Sequence, residues 1–550
     1  MTLRHVRVAF ATIALSASAA LAQDVPPTAW GRAPDANGAL SHAAAAWLGA
    51  WSPLRPIREE PRGLLRAPLA PGLLDAPPPR AGAFFLSGAP GALNRDVIRA
   101  NGNGADTSRF GELRVKSAGV DGAFRRPLDP ASVGALGVSG QGWAPVRLGI
   151  AIGRFAVDQE QLEPSGFASR VAPYAASPFV STDSVTPPMR RMRARIEGAL
   201  GMRFGEFGVG IAAGLESREH TTIDFPIRRA GRSALPAASL GVERGLPWFG
   251  ARIGAYHRWS EPTETDVLNP APEPTVYYPI RGYDEPSAVE VSLAAVFSRI
   301  DSHATATGGT LEFEALATRV VVTHERGSRR EVGYFALALD HPTNRWRAGG
   351  SETRVQAQRA IGSQLVLTVV GAAESLSGDA QRLDLTGIAY SASHSRRSIE
   401  GDLRGHRGPW QAAATGGAIT SERIGTDFVA QLATKLDFIQ PFVSGEAARQ
   451  FARGSVAAGA SFAASAATGN IPAALDAGEN YRRLVAPALA YDAADTRATA
   501  FWITGLFRAG QSTLIATLRS ERASSPTDVP HRLQPTGSRT GWTAAFGVRY

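Results

Sequence analysis

The 550-residue chain contains no cysteine, only two lysines (Lys116 and Lys435) and four methionines. Beyond its N-terminus it has no apolar run approaching the roughly 18 residues that a membrane-crossing helix needs. The missing cysteines exclude disulfide scaffolds, Cys-ligated zinc, iron–sulfur clusters and thiol nucleophiles. The missing apolar runs exclude transmembrane helices. Few methionines beside 58 glycines argue against packed helical cores. Charged residues make up only 19% of the chain and apolar residues 44%, which is not the composition of a disordered polymer. The net charge of +9 is carried almost wholly by arginine. What remains is a cysteine-free, glycine-rich β-protein.

The N-terminus indicates export. Arg4 and Arg7 form a positive region, Val8 to Leu15 an apolar one, and Ala20-Leu21-Ala22 a small-residue cleavage site before Gln23. Residues 1–22 are therefore expected to be a signal peptide, and no lipid-bearing cysteine follows it. Residues 23–108 are rich in proline and alanine, with Pro77-Pro78-Pro79 among them, and are expected to be a flexible lead-in or a plug-like segment. A short helix capped by Ser41 and ended near Pro53 is the one element suggested there.

From residue 109 to 550 the period becomes two. In β-spacing Met192, Ala194, Ile196, Leu200, Met202 and Phe204 share one face, with Arg191, Arg193, Arg195, Glu197 and Arg203 on the other. Gly205-Glu206 then serves as a two-residue turn, pairing Phe204 with Phe207, Met202 with Val209 and Arg195 with Glu216. Similar alternation recurs at 146–157, 234–244, 248–259, 289–297, 332–339, 365–371, 428–436, 456–462, 484–492, 498–508 and 512–518. Weaker alternation covers 310–324, 351–360, 382–420 and 440–450. The count comes to about 20 strands, roughly 18 to 22. Gly308-Gly309 and Gly349-Gly350 read as turns, and 158–189, 219–233, 260–286 and 522–538 as long polar connections. By strand parity 467–480 falls among the short turns despite its length.

A soluble sandwich also alternates. Three features favour an antiparallel transmembrane β-barrel instead. Strands of about 10–12 residues, rising roughly 3.3 Å per residue at a tilt of about 40°, span about 25–30 Å. Phe204, Phe207, Trp248, Phe249, Trp259, Trp410 and Trp542 lie near segment ends, where interfacial girdles need aromatics. Short connections also alternate with long ones. In the closing GWTAAFGVRY, Trp542, Ala544, Phe546, Val548 and Tyr550 alternate apolar. This ending resembles the C-terminal assembly signal of bacterial outer-membrane β-barrel proteins. The resemblance implies a Gram-negative-type outer membrane, with its lipid and the barrel-assembly machinery as partners, and it points to no particular family. No energy-coupling box or separate plug domain of the TonB-dependent receptor type is evident. A passenger-carrying autotransporter is not expected, since little of this sequence lies ahead of the strands.

Little in the sequence suggests catalysis. The histidines, among them His220, His257, His303, His324, His394 and His406, are spread thinly and show no metal-ligand spacing, so no metal and no cofactor is expected. Ser391 to Ser395 invites comparison with outer-membrane phospholipase, but the flanking pattern and an asparagine partner are missing. Acid pairs such as Glu312 and Glu314 suit a lumen lining better than acid–base work. The sharper signal is arginine: Arg191, Arg193, Arg195 and Arg203, with Glu197, Glu216, Arg218, Arg252, Tyr256 and Arg258, are expected to line a lumen. Guanidinium groups stay charged and orient carboxylates or phosphates. The expected function is thus a channel or binding pore for small, mildly anion-favoured solutes, not an enzyme and not a nucleic-acid binder. The alternative is a barrel blocked by residues 23–108 that serves as a structural or partner-binding component among other envelope proteins.

Overall fold

In a computed structural model the described residues are 108–549, except 123–130, 147–148, 164–178, 184–187, 224–226, 228, 247, 249, 270–274, 282–288, 292–295, 317, 337–341, 362–364, 384–386, 471–485, 511 and 526–535. The expected signal peptide and nearly all of the lead-in therefore lie outside the described residues, as does Tyr550.

The chain opens with β1 (Ser108–Gly122), β2 (Ser132–Val146), β3 (Gly149–Glu163) and a short β4 (Phe179–Asp183). Next come β5 (Met189–Phe204), β6 (Phe207–Thr222), β7 (Arg229–Leu246), β8 (Ala251–Ser260) and β9 (Thr263–Leu268). After β10 (Thr275–Arg281) and β11 (Val289–Val291) the strands lengthen. These are β12 (Val296–Ala315), β13 (Thr318–Ala336), β14 (Pro342–Ile361), β15 (Leu365–Arg382), β16 (Tyr390–Arg407), β17 (Trp410–Asp427) and β18 (Leu432–Phe451). The series ends with β19 (Gly454–Asn470), a helix α1 (Ala486–Ala493), β20 (Thr496–Ala509), β21 (Ser512–Ser524) and β22 (Gly537–Arg549).

Nineteen of these strands form one sheet, which β1 closes by pairing with both β2 and β22. Strands β8 and β9 pair in succession with the same two neighbours, β7 and β12, and so form one stave interrupted at Glu261-Pro262. The barrel thus has eighteen staves, nineteen strands less one. Strands β4, β10 and β11 make a separate three-stranded sheet from two long connections.

The two rims differ. Where β1 begins and β22 ends, staves join through residues 147–148, 205–206, 316–317, 408–409, 452–453 and 510–511. Gly205 takes a φ of 59° and Gly408 one of 57°, so each supplies the positive φ that a tight hairpin turn needs at its first central position. The opposite rim carries 164–188, 269–295 and 471–495. Short turns on one side and long loops on the other are the asymmetry of outer-membrane barrels, with the long loops outside. Residues 467–470 end β19, and the connection 471–495 falls on the long-loop rim, so the strand count that set 467–480 among the short turns had the wrong parity.

Other expectations are corrected here. Of residues 484–492, the described ones, 486–492, belong to α1 and not to a strand. Gly308-Gly309 and Gly349-Gly350 lie inside β12 and β14, and Phe428 to Gln431 form a turn ahead of β18. A Cβ at Gly308 would collide with the Tyr256 ring, and one at Gly350 with the Ser375 carbonyl, so close approach explains these glycines. Polar tracts taken as connections are partly strand: β3 runs on to Glu163 and β6 to Thr222, while β7 begins at Arg229.

The hairpin β5–β6 has the expected register, with Phe204 opposite Phe207, Met202 opposite Val209 and Arg195 opposite Glu216. Its burial is inverted relative to a soluble protein. Met192, Ile196 and Phe204 are 50%, 52% and 62% exposed, whereas Arg193 is 4% exposed. Only a lipid-facing exterior makes a continuous band of exposed apolar side chains stable. Phe207, Trp248, Trp410 and Phe451 ring the short-turn rim, all exposed. Arg244 lies 5.0 Å over Phe207, and Arg449 lies 5.5 Å over Trp410 and 5.4 Å over Phe451. Aromatic rings paired with cations suit an interface that is apolar on one side and wet on the other.

Candidate functional site

The buried parity of the strands faces the barrel interior, and on β3, β5, β6, β7 and β9 it carries charge of both signs. Two rows cross these strands. In the first, Asp158 pairs in register with Arg193, and Arg193 with Arg218. In the second, Glu160 pairs with Arg191, Arg191 with His220, His220 with Gly231, and Gly231 with Asp266.

Ion pairs link the rows. Arg193 Nη2 lies 2.9 Å from Glu216 and Nη1 lies 4.0 Å from Asp158. Arg218 also binds Glu216, so one carboxylate serves two guanidinium groups. Arg191 lies 3.7 Å from Glu160. Fully buried Arg229 donates to Asp266 at 2.8 Å. The His220 ring lies directly over Gly231, where a Cβ would overlap it, and reaches Asp266 at 3.5 Å. Gly231 thus lets a side chain from β6 cross β7 to a carboxylate on β9. Removing one member of such a lattice strands a charge in a partly desolvated place, which is why the acids and arginines interleave.

The expected lining residues divide as follows. Arg191, Arg193, Arg195, Glu216, Arg218, Arg252 and Tyr256 are all buried or half-buried. Tyr256 donates to Glu325 at 2.6 Å, passing over Gly308. The side chains of Glu197, Arg203 and Arg258 lie outside what the structure describes. In the terminal strand Trp542 and Phe546 are exposed and Val548 is half-buried. Sequence reasoning missed Asp158, Glu160, Arg229 and Asp266, because all four fell in the polar tracts 158–189, 219–233 and 260–286 taken as connections. Their signal was present: Asp158, Glu160 and Leu162 continue the parity of β3.

Elsewhere the interior carries further acid–base contacts. Arg319 lies beside Glu312, Arg329 binds Glu331 at 2.8 Å, and Lys116 and Arg519 share Glu521 at 3.6 and 3.5 Å. His220, His257, His303, His324 and His394 stand within strands, not in loops. No group of three or more metal-ligating side chains occurs among the described residues. His394 is buried, whereas Ser393 and Ser395 point to the exposed face of β16, so this serine–histidine run cannot form a catalytic pair.

Across the barrel from the charged rows lies α1. Its Tyr491 is 2% exposed and packs on Ile419, Phe442, Ala463 and Ala523, inward residues of β17, β18, β19 and β21. Three alanines, Ala463, Ala498 and Ala523, leave room for the ring. The long connection 471–495 therefore sends a helix inside the wall rather than over it.

No protein-family model and no curated protein matches this chain. Similar solved structures include the copper transporter OprC, at 10% identity and a TM-score of 0.41, covering 81% of this chain and 80% of that one. The FrpB iron transporter from Neisseria meningitidis follows at 9% identity and 0.39, covering 83% of each chain. The siderophore receptor PiuA from Acinetobacter baumannii stands at 8% and 0.37, covering 80% and 82%. Such a likeness says nothing of cargo. A closed antiparallel barrel, apolar outside and charged within, with one short-turn rim and one long-loop rim, is an integral β-barrel of a Gram-negative-type outer membrane.

Proposed function

We propose that the barrel is a channel or binding pore for small polar solutes, with anions favoured only mildly. The observation that carries this reading is the interior charge lattice on β3–β9. A wall of ionic side chains of both signs on the interior face suits the passage or binding of polar solutes. The mildness follows from the pairing, since Arg191, Arg193, Arg218 and Arg229 each have a carboxylate within 4.0 Å. Their field is largely cancelled at a distance beyond the Debye length of about 8 Å. Rejection of cations is therefore weak, and zwitterions with both charges find partners on one surface.

Swelling of proteoliposomes tests the reading. Small neutral sugars and zwitterionic amino acids should enter at comparable rates, and small organic anions somewhat faster than cations of the same size. Vesicles that contain folded barrel yet stay osmotically intact to all four classes would contradict it.

A further inference from the structure

The second charged row does not end at Glu160. In register it passes from Glu160 to Ala135 on β2 and Lys116 on β1, then to Thr543 on β22 and Arg519 on β21. The last three residues set an ammonium, a hydroxyl and a guanidinium side by side on the inward face. Neighbouring staves lie about 4.8 Å apart, so Lys116 and Arg519 flank Thr543 closely enough for both long side chains to converge.

Charge is matched differently here than on β3–β9. There four arginines, Arg191, Arg193, Arg218 and Arg229, are met in ion pairs by four acids, Asp158, Glu160, Glu216 and Asp266. Lys116 and Arg519 have one carboxylate between them. Glu521, one row nearer the long-loop rim, lies 3.6 Å from Lys116 and 3.5 Å from Arg519. Arg539, a further row up, has contacts of its own and is left out of this count. Arg519 stands five residues from the end of β21 at Ser524, and Lys116 six from the end of β1 at Gly122. The loops of that rim therefore begin roughly 16 Å or more away along the wall.

Both cations are withdrawn from water. Lys116 is 9% exposed, and Nε and Nη2 of Arg519 are buried and make no hydrogen bond among the described residues. These two nitrogens share one edge of the guanidinium, and that edge is the fork that takes both oxygens of a carboxylate. Buried donors that the chain itself leaves without an acceptor are suited to one brought from outside.

We propose that Arg519, Thr543 and Lys116 form a binding site for a small monocarboxylate inside the barrel. The carboxylate lies in the Arg519 fork, with the Lys116 ammonium and the Thr543 hydroxyl closing on the same group. Charge sets the valence: two cations and Glu521 leave a net +1, which a monoanion neutralises and a dianion overshoots beside a carboxylate. Shape disfavours a halide, which meets the fork at a single point. Room sets the size. The niche beside Glu521, walled by Ser461, Ala463, Ala498, Ala500 and Ala523, holds a group of about one water molecule's size, so the ligand's tail is short. The inference rests on the reading of the barrel as a solute pore and names the anion for which that pore carries a site.

Binding is read from the NMR line width of isotope-labelled acetate added to the full-length barrel in detergent micelles, at mildly alkaline pH. This readout needs no conduction. Acetate should saturate one site, and chloride and phosphate should each compete at least about tenfold more weakly. Arg519→Gln should weaken acetate binding at least about tenfold, and Arg519→Lys by less, since it keeps the charge but not the fork. Arg449→Gln, on the short-turn rim, should bind as the wild type does. Heat-modifiable gel migration shows which variants fold. Should Arg519→Gln not fold, Thr543→Val, which keeps shape and charge, should weaken binding about threefold. A folded wild-type barrel that leaves the acetate line unchanged overturns the proposal. So does a folded Arg519→Gln barrel that binds acetate as tightly, or phosphate binding more tightly than acetate. Planar-bilayer conductance judges the pore reading separately. A barrel that binds acetate through Arg519 yet passes no current keeps the site and loses the pore, and one that conducts yet ignores acetate loses only the site.

Discussion

Leu316 holds a φ of 51° in the turn between β12 and β13, and its side chain is 90% exposed. A non-glycine residue in the left-handed region costs about 1–2 kcal/mol, and this one recovers nothing by packing. Leu316→Gly should therefore stabilise the barrel by somewhat under about 1 kcal/mol after the larger chain entropy of glycine is counted. A rise in the urea midpoint in micelles, at unchanged slope, is the measurement. Gly231 makes the opposite prediction. Gly231→Val places a branched side chain where the His220 ring lies, parting His220 from Asp266. The loss should be about 1–3 kcal/mol in the same assay, as for other overpacked sites. Glu216 bridges Arg193 and Arg218, so Glu216→Gln leaves two guanidinium groups sharing no carboxylate. Its reversal potential in a salt gradient should move toward anion selectivity, and movement toward cations would show that the lattice does not line the conducting path.

Among the elements, β5–β6 was the easiest to read from sequence. Arginine and apolar residues alternate there from Arg191 to Ile196, and Gly205 marks the turn. Element ends were harder. Asp158 and Glu160 continue β3 as buried charges, and a run of polar residues looks like a loop unless a hydrated interior is assumed in advance. Glycine pairs inside β12 and β14 imitate turns because a strand glycine that admits a neighbouring ring or carbonyl has the same sequence signature. Helix α1 was misread for another reason: its sequence APALAYDA is short and alanine-rich, and alanine fits either period. Its placement inside the wall leads to a prediction at this scale. Tyr491→Ala removes the ring that seats α1 on Ile419, Phe442, Ala463 and Ala523. Single-channel conductance should rise, by about twofold if α1 narrows the bore. A 486–494 segment replaced by a Gly/Ser linker of equal length should behave alike, and unchanged conductance in both would place α1 off the path.

For the whole molecule, composition misleads until the direction of burial is known. The apolar fraction of 44% suggests a large buried core, yet much of it faces outward, as Ile196, Ile399 and Phe501 do at 52%, 62% and 61% exposure. The arginine excess looked like an anion-attracting wall, but acids interleave with it on β3, β6 and β9. A strand-by-strand reading found the arginines on β5 and Glu216 on β6 but not Asp158, Glu160 or Asp266, because contacts across several staves depend on which of them stand side by side. The central claim, a membrane barrel whose charged interior is a path for small solutes, is tested most directly in a planar lipid bilayer across a salt gradient. The account predicts discrete conductance steps whose reversal potential lies close to zero and slightly on the anion side. A folded, inserted barrel that gives no steps, or one that is strongly cation-selective, would contradict it.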